Sequence, residues 1–211
     1  MDDAVERPTI LVSGFQPFGG LTTNPALEAV MALPAEIGGA SIKTVEVPVT
    51  YAHAAQTVLR AVETVAPQAI VLVGQARGTT ALSIERVAIN VDDCAVPDNA
   101  GELRSGVRVR AGGPAAYFST LPITDMVRAC TAAGVPAALS NSAGTYVCNH
   151  LMYEVLDALA MSGASIQAGF VHVPLMHTQV TREGLAGEPS MALATIVEGL
   201  TAAIDAVAQT L

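Results

Sequence analysis

Apolar and polar positions along the chain follow two periods, and the switches between them mark out the elements. Thr9-Ile10-Leu11-Val12 is a short apolar run ending at Ser13-Gly14 and reads as a first strand. Asn24-Pro25 predicts a helix start: Asn can cap the first turn, and Pro at the first helical position forfeits no hydrogen bond. Ile42 to Val49 alternates with period two, as a half-exposed strand does. From Ala54 to Ala66, Val58, Leu59, Val62 and Val65 recur at helical spacing. Ile70-Val71-Leu72-Val73-Gly74 is continuously apolar, the pattern of a strand buried on both faces. Leu82 to Val91 reads as a further strand and Val107 to Arg110 as a short edge strand. Asp125 to Ala133 predicts a helix that stops at Gly134-Val135-Pro136, and Ala137 to Ser140 a short strand. A helix from Val147 to Met161 and a buried strand from Ile166 to Val173 follow. The closing helix carries Leu193, Ile196, Val197, Leu200, Ile204, Val207 and Leu211 on one face.

Strands alternating with helices predict an α/β fold: a three-layer α/β/α sandwich around a largely parallel twisted sheet, as a single domain over residues 1–211. No linker, internal repeat or low-complexity segment interrupts it. Sites in such folds lie at the carboxyl ends of strands. The segments that carry chemistry fall there: residues 14–20, 74–78, 142–148 and 172–174.

Composition narrows the function classes. Hydrophobic residues make up 51% and charged ones 14%, a balance that buries a core and argues against disorder. Aromatics are scarce at 4%, so Ala and Val do much of the packing. A net charge of -9 with ten scattered basic residues excludes a nucleic-acid footprint. The N-terminus is acidic where a signal peptide is basic, and no apolar run reaches the roughly 18 residues of a membrane helix. Cys94, Cys130 and Cys148 cannot all pair with one another, and their spacing matches no zinc pattern. A reduced, cytoplasmic protein with no metal and no membrane partner is therefore expected. His53, His150 and His177 are scattered and read as surface or packing residues. His150 lies two residues past Cys148 on the same predicted helix and so faces away from it.

Cys148 follows a strand and the turn Asn141-Ser142-Ala143-Gly144-Thr145 and opens a predicted helix. The unpaired N–H groups and dipole at that end favour a thiolate and could hold an oxyanion. The competing reading is a small buried hydrophobe. His172, in Gly169-Phe170-Val171-His172-Val173-Pro174, ends an apolar strand, from where an imidazole can reach a helix N-terminus and take a thiol proton. Its alternative is a core histidine bonded to backbone. Glu85, in Ser83-Ile84-Glu85-Arg86-Val87-Ala88-Ile89-Asn90, is a charge within an apolar strand, costly to bury unless paired or used. It can orient His172 as a triad carboxylate does, or form a structural ion pair. Asp92, Asp93 and Asp98 compete for the same role. Gly14-Phe15-Gln16-Pro17-Phe18-Gly19-Gly20 has neither a G-x-G-x-x-G pattern nor a P-loop lysine, so it is no phosphate cradle. Phe15 and Phe18 can wall a small apolar pocket or simply cover the sheet end.

Together four segments resemble the pyrrolidone-carboxylate peptidase (pyroglutamyl peptidase I) family of cysteine peptidases. They are Gly14 to Gly20 with Asn24-Pro25, Ser83 to Asn90, Ser142-Ala143-Gly144-Thr145-Tyr146-Val147-Cys148-Asn149, and Gly169 to Pro174, in the family's order over nearly the whole chain. The resemblance implies a Cys148–His172–Glu85 triad. It also implies a pyroglutamyl pocket walled by Phe15 and Phe18, with polar contacts from Gln75, Asn24 and the backbone near Val147. It implies an α/β/α sandwich, assembled as a homo-oligomer (tetramer or dimer), that needs no cofactor and acts on N-terminally pyroglutamylated peptides. The chain departs from the family at two places. Ala95 stands where an arginine is usual, and Met176-His177-Thr178-Gln179 where the family runs towards Pro-Glu-Gln. The readings that compete with the peptidase are another thiol amidase on the same scaffold and a catalytically impaired pyroglutamyl-binding homologue.

Overall fold

Successive side chains on a strand point to opposite faces, so a continuously apolar strand needs a layer of helices on each side. That is the arrangement in the computed structural model, which describes residues 7–211. The acidic N-terminal residues Met1 to Glu6 lie outside the described residues. The elements follow in the order β1 (Thr9–Phe15), α1 (Pro25–Met31), β2 (Glu36–Ile37), β3 (Ala40–Val47), α2 (Ala54–Val65) and β4 (Ala69–Gln75). Next come β5 (Leu82–Glu85), β6 (Val87–Ile89), β7 (Ala116–Phe118), α3 (Ile123–Ala132), β8 (Ala137–Ser140) and α4 (Val147–Ser162). The chain ends with β9 (Gln167–Val173), β10 (Leu175–Met176), α5 (His177–Arg182), β11 (Ser190–Met191) and α6 (Leu193–Ala208).

Seven strands form the central sheet in the order β2-β3-β1-β4-β9-β5-β8. Every neighbouring pair is parallel except β2 with β3 and β5 with β9. Ile10, Val12, Val71, Val73, Val171 and Val173 pack with α1, α3 and α6 on one face. Leu11, Ile70, Leu72, Ala168 and Phe170 pack with α2 and α4 on the other. The expected three-layer α/β/α sandwich around a largely parallel sheet is thus present. The first helix starts as expected: Ala26 N–H donates to Asn24 Oδ1 (3.0 Å), with Pro25 at the first helical position.

The structure corrects the sequence reading in several places. Leu82 to Val91 is not one strand. The chain leaves the central sheet at Arg86, and β6 pairs instead with β7 in a separate two-stranded ladder. Asn149 of α4, wholly buried, takes over as the partner of this segment. It accepts from Ile89 N–H (2.9 Å) and donates to the carbonyls of Ile89 (2.9 Å) and Val91 (3.0 Å). Val107 to Arg110 forms no strand beyond an isolated bridge between Val107 and Asp92. Arg110 N–H is held by the Asn90 side chain (2.9 Å) rather than by a ladder. In the last helix Ile196, Leu200, Ile204 and Val207 are fully buried, whereas Leu211 lies past its end and is 41% exposed. The short helix α5 has no apolar period that could have announced it.

Residues 92–104 are fastened to α4 and to Tyr51 by buried charge. Asp92 is fully buried and accepts from Arg104 (2.7 Å), while its Oδ2 lies 2.9 Å from His150 Nδ1. His150 Nε2 in turn faces Glu154 (3.4 Å), and the Arg104 guanidinium lies 4.3 Å over the Tyr51 ring. Asp98 accepts from the N–H groups of Tyr51, Ala100 and Glu102. His150 is accordingly a packing residue, as expected, but an ionised one. Burial works to lower its pKa, and the Asp92 and Glu154 carboxylates outweigh that and raise it to about 9. Between about 6.5, where the unfolded imidazole releases its proton, and 9 the folded chain holds the extra proton. The stabilisation is therefore complete below pH 6.5 and is lost as pH rises through 9. His150→Gln should make the fall of unfolding free energy with rising pH shallower in that window by up to about 1.4 kcal/mol per pH unit, one proton's worth, as read from urea unfolding at stepped pH.

Candidate active site

His172 lies on β9, flanked by Gly74 of β4 and Ser83 of β5. It shares the parity of Phe170, so its ring stands on the α2/α4 face, with the two ring centroids 4.7 Å apart. Glu85 sits opposite Phe170 on β5 and has the opposite parity to Ile84, which faces the other layer. Glu85 and His172 therefore meet on one face, with Oε1 2.8 Å from Nδ1 and exposures of 1% and 8%. Arg86 has the other parity and turns away to donate to Asn141 Oδ1 (2.8 Å), so the adjacent charged pair seen in the sequence is divided. Asp92 and Asp98 are committed to the loop described above. Asp93 is exposed and bonded to Gly106 N–H, which leaves Glu85 as the carboxylate that His172 meets.

Cys148 is the second residue of α4 and lines the same cavity as His172, near enough for its sulfur to bear on the charge of the imidazole. With Nδ1 turned to Glu85, Nε2 is the nitrogen left for the sulfur. Burial acts to depress the His172 pKa; the facing Cys148 sulfur and the Glu85 carboxylate raise it to about 9. Tyr146 provides no side-chain cap for α4, and the first helical N–H to find a backbone partner at this end is that of His150, on Tyr146 O (3.1 Å). The first-turn N–H groups beside the sulfur are free to act as donors. Gly74 gives the sulfur its room: a Cβ there would lie 3.1 Å from Cys148 Sγ and 2.7 Å from the Phe170 ring. Cys130, by contrast, is buried, its thiol pushed up to about 11 by desolvation, and Cys94 is partly buried and unpaired.

A cavity of about 340 Å³ opens over this cluster. Phe15, Phe18, Asn24 and Gln75 line it together with Glu85, Cys148 and His172. Val147 does not; its side chain is wholly buried among the α2/α4 core residues, because the first residue of α4 points down onto the sheet. Asn24 is largely consumed by local structure, since its amide also donates to Gln16 O (2.9 Å). Tyr146 was not singled out from the sequence, yet it completes the aromatic wall. It is tilted against Phe18 at 6.1 Å, and its hydroxyl donates to Pro97 O (3.0 Å). Burial pushes that phenol up to about 12, so it stays a neutral donor. An aromatic two residues before a candidate nucleophile was the available signal. Neither Lys nor Arg lines the cavity, and Ala95 is exposed. Among the described residues no group of three or more His, Cys, Asp or Glu could hold a metal.

Comparison with known proteins places this geometry. The family profile described as pyroglutamyl peptidase matches residues 8–210. The pyrrolidone-carboxylate peptidase of Levilactobacillus brevis is 46% identical over 94% of this chain and 96% of its own length. That of Streptococcus pyogenes serotype M1 is 48% identical over 94% and 91%. The crystal structure of pyroglutamyl peptidase I from Bacillus amyloliquefaciens superposes with a TM-score of 0.91 at 39% identity, covering 97% of this chain and 98% of that one. A mutant pyrrolidone carboxyl peptidase from the hyperthermophile Pyrococcus furiosus gives 0.91 at 36% identity, over 96% and 99%. Sharing fold, length and sequence with these enzymes from end to end, the chain belongs to the pyroglutamyl peptidase family of cysteine peptidases.

Proposed function

We propose that the protein is a cysteine exopeptidase that removes an N-terminal pyroglutamyl residue from peptides, with Cys148 as nucleophile, His172 as base and acid, and Glu85 as its orienting carboxylate. The observation that carries this is the buried Glu85–His172 contact sharing with Cys148 the lining of a small cavity that Phe15, Phe18 and Tyr146 also wall. His172 holds the proton given up by the Cys148 thiol, and the sulfur attacks the pyroglutamyl carbonyl as thiolate. The oxyanion of the tetrahedral intermediate is held by backbone N–H groups at the start of α4. Collapse breaks the C–N bond, and His172 hands its proton to the departing amine. Water, deprotonated by His172, then hydrolyses the thioester, releasing pyroglutamate and restoring the thiol.

The pocket chemistry supports the substrate class. A pyroglutamyl ring is compact and uncharged, so it asks for aromatic faces and neutral donors rather than for an acidic partner to an amine. Phe15, Phe18 and Tyr146 supply the faces and Gln75 an amide. With neither Lys nor Arg in the lining, the oxyanion has no fixed cationic side chain beyond His172 and relies chiefly on backbone donors, which supports a slower enzyme and keeps the binding-only homologue as the second reading. We place the protein in the reducing cytoplasm as a dimer or tetramer, acting without cofactor. No helix among the described residues is long and apolar enough to cross a membrane.

Three variants test the assignment with a pyroglutamyl amide that releases a fluorescent amine. Cys148→Ser should lower kcat/KM by about 10³-fold or more with the fold intact, and tight pyroglutamate binding by a wild type without turnover would establish the binding-only homologue instead. The raised His172 pKa puts the alkaline limb of kcat/KM near pH 9: the proton owed to the leaving amine is present below that pH and lost above it. Glu85→Gln should lower the rate by roughly 10²–10⁴-fold and move that limb to lower pH, because the carboxylate that helps hold the proton is gone. Gly74→Ala, which drives a methyl against Phe170 and the sulfur, should cost about 1–3 kcal/mol of stability and reduce turnover as well.

A further inference from the structure

Gln179 belongs to α5, a six-residue helix with mostly exposed neighbours, yet it is 1% exposed. Both ends of its amide are engaged. Nε2 donates to Thr23 O (3.1 Å) and to Gln75 Oε1 (2.9 Å), and Oε1 accepts a long bond from Met176 N–H (3.4 Å). A backbone carbonyl can only accept and a backbone N–H can only donate, so Thr23 and Met176 fix which end of the Gln179 amide is which. The Gln75 atom turned towards Gln179 must then be its oxygen. Gln75 ends β4 and lines the cavity, and its Nε2 makes no hydrogen bond to protein among the described residues. The oxygen and nitrogen ends of a glutamine amide have nearly the same shape, so without Gln179 nothing in the fold would choose between a donor and an acceptor at this point of the pocket.

We infer that Gln179 is a positioning residue for specificity: fixed by the Thr23 carbonyl and the Met176 N–H, it commits Gln75 to present N–H, and the site thereby selects rings that carry a carbonyl acceptor. The inference deepens the peptidase reading and rests on the pyroglutamyl ring occupying this cavity. A pyroglutamyl ring offers one carbonyl and one N–H; a fixed Gln75 donor reads the carbonyl, the group that a prolyl ring lacks. A buried donor facing a prolyl methylene goes unpaired, which is the form of discrimination that hydrogen-bonding sites achieve most strongly.

Two variants separate this role from a structural one. In Gln179→Glu the carboxylate has no hydrogen for Gln75 or Thr23, so Gln75 turns its N–H₂ to residue 179 and its oxygen to the ring carbonyl. Gln179→Met fills similar volume and leaves Gln75 free to turn either way. For the pyroglutamyl amide, KM should rise about 10- to 100-fold in the Glu variant and less in the Met variant. In both, kcat should stay within about threefold, because the ring contact is the same in ground and transition states. Iodoacetamide alkylation of Cys148, followed by mass spectrometry, should keep its wild-type rate. The concentration of 2-pyrrolidinone that protects Cys148 should rise in the order wild type, Met, Glu, a readout that needs no turnover. Unchanged KM and protection in either folded variant would overturn the inference, as would a loss confined to kcat or to Cys148 alkylation. If the Glu variant does not fold, the Met variant decides on the same terms. A wild type protected by 2-pyrrolidinone in the expected order but inactive would defeat the peptidase reading and leave this one standing. Failure of 2-pyrrolidinone to protect the wild type at all would remove the inference.

Discussion

A carboxylate taken out of water costs several kcal/mol unless something nearby restores what hydration gave it, and Glu85 sits at 1% exposure. His172 restores part of it through a 2.8 Å contact, and the Cys148 sulfur together with the Glu85 carboxylate raises the imidazole pKa well above its ordinary value. Glu85 Oε2 finds no protein partner among the described residues, so the Glu85–His172 contact carries most of the compensation. Much of the local architecture follows from making this pair possible. β5 runs antiparallel to β9, whereas β1, β3, β4 and β9 run parallel, and this reversal sets Glu85 beside Phe170, two pairs deeper than His172. The carboxylate thus supports the imidazole from beneath, and the second ring nitrogen is left for the sulfur.

The two helical layers divide the work. The face covered by α1, α3 and α6 is apolar throughout its core, while the face covered by α2 and α4 carries Glu85, His172 and Cys148 amid its apolar residues. Which face receives the chemistry is decided by the parity of β9. Shifting that strand by one residue would send His172 into the α6 layer and turn Val171 and Val173 towards the cavity. Close contacts resist such a shift. A Cβ at Gly74 would strike Phe170, and one at Gly169 would lie 2.2 Å from Ser119 Oγ, so both positions fit only one register. Register here is as much a catalytic requirement as the identity of the nucleophile.

Most of the central framework could be read from periodicity, because the buried strands and the long helices announce themselves through apolar residues at spacing two or 3.6. The reading failed where polar side chains stand in for backbone partners. Asn149 replaces a neighbouring strand for Ile89 and Val91, and Asn90 does so for Arg110, so those segments keep strand-like composition without joining the main sheet. Val107, where the sequence predicts an edge strand to begin, is 43% exposed and forms only a single bridge. The candidate triad was visible as residue types at strand and helix ends, but the choice of Glu85 over Asp92, Asp93 and Asp98 came from the resemblance of the motif segments and not from spacing. It depends on a long-range pairing, Glu85 opposite Phe170, that no local pattern encodes.

Polarity within the cavity is set by the same kind of long-range bond. The motif segments bring Phe15, Phe18 and Gln75 to the sheet end, but a side-chain amide at the end of a strand has no preferred direction of its own. Direction comes from α5, a helix too short and too polar to be seen in the periodicity, through the single buried amide of Gln179. The arrangement has the logic of the triad in neutral form. In each case a group facing the substrate is oriented by a buried partner, and that partner is held in turn by something that cannot rotate: a strand register for Glu85, a backbone carbonyl for Gln179. A pocket lined by neither Lys nor Arg, whose imidazole is paired with a carboxylate, has little long-range field with which to attract or orient a substrate, so fixed neutral dipoles must supply the discrimination. Rigidity of those dipoles therefore matters more to selectivity in this site than the number of contacts it can offer.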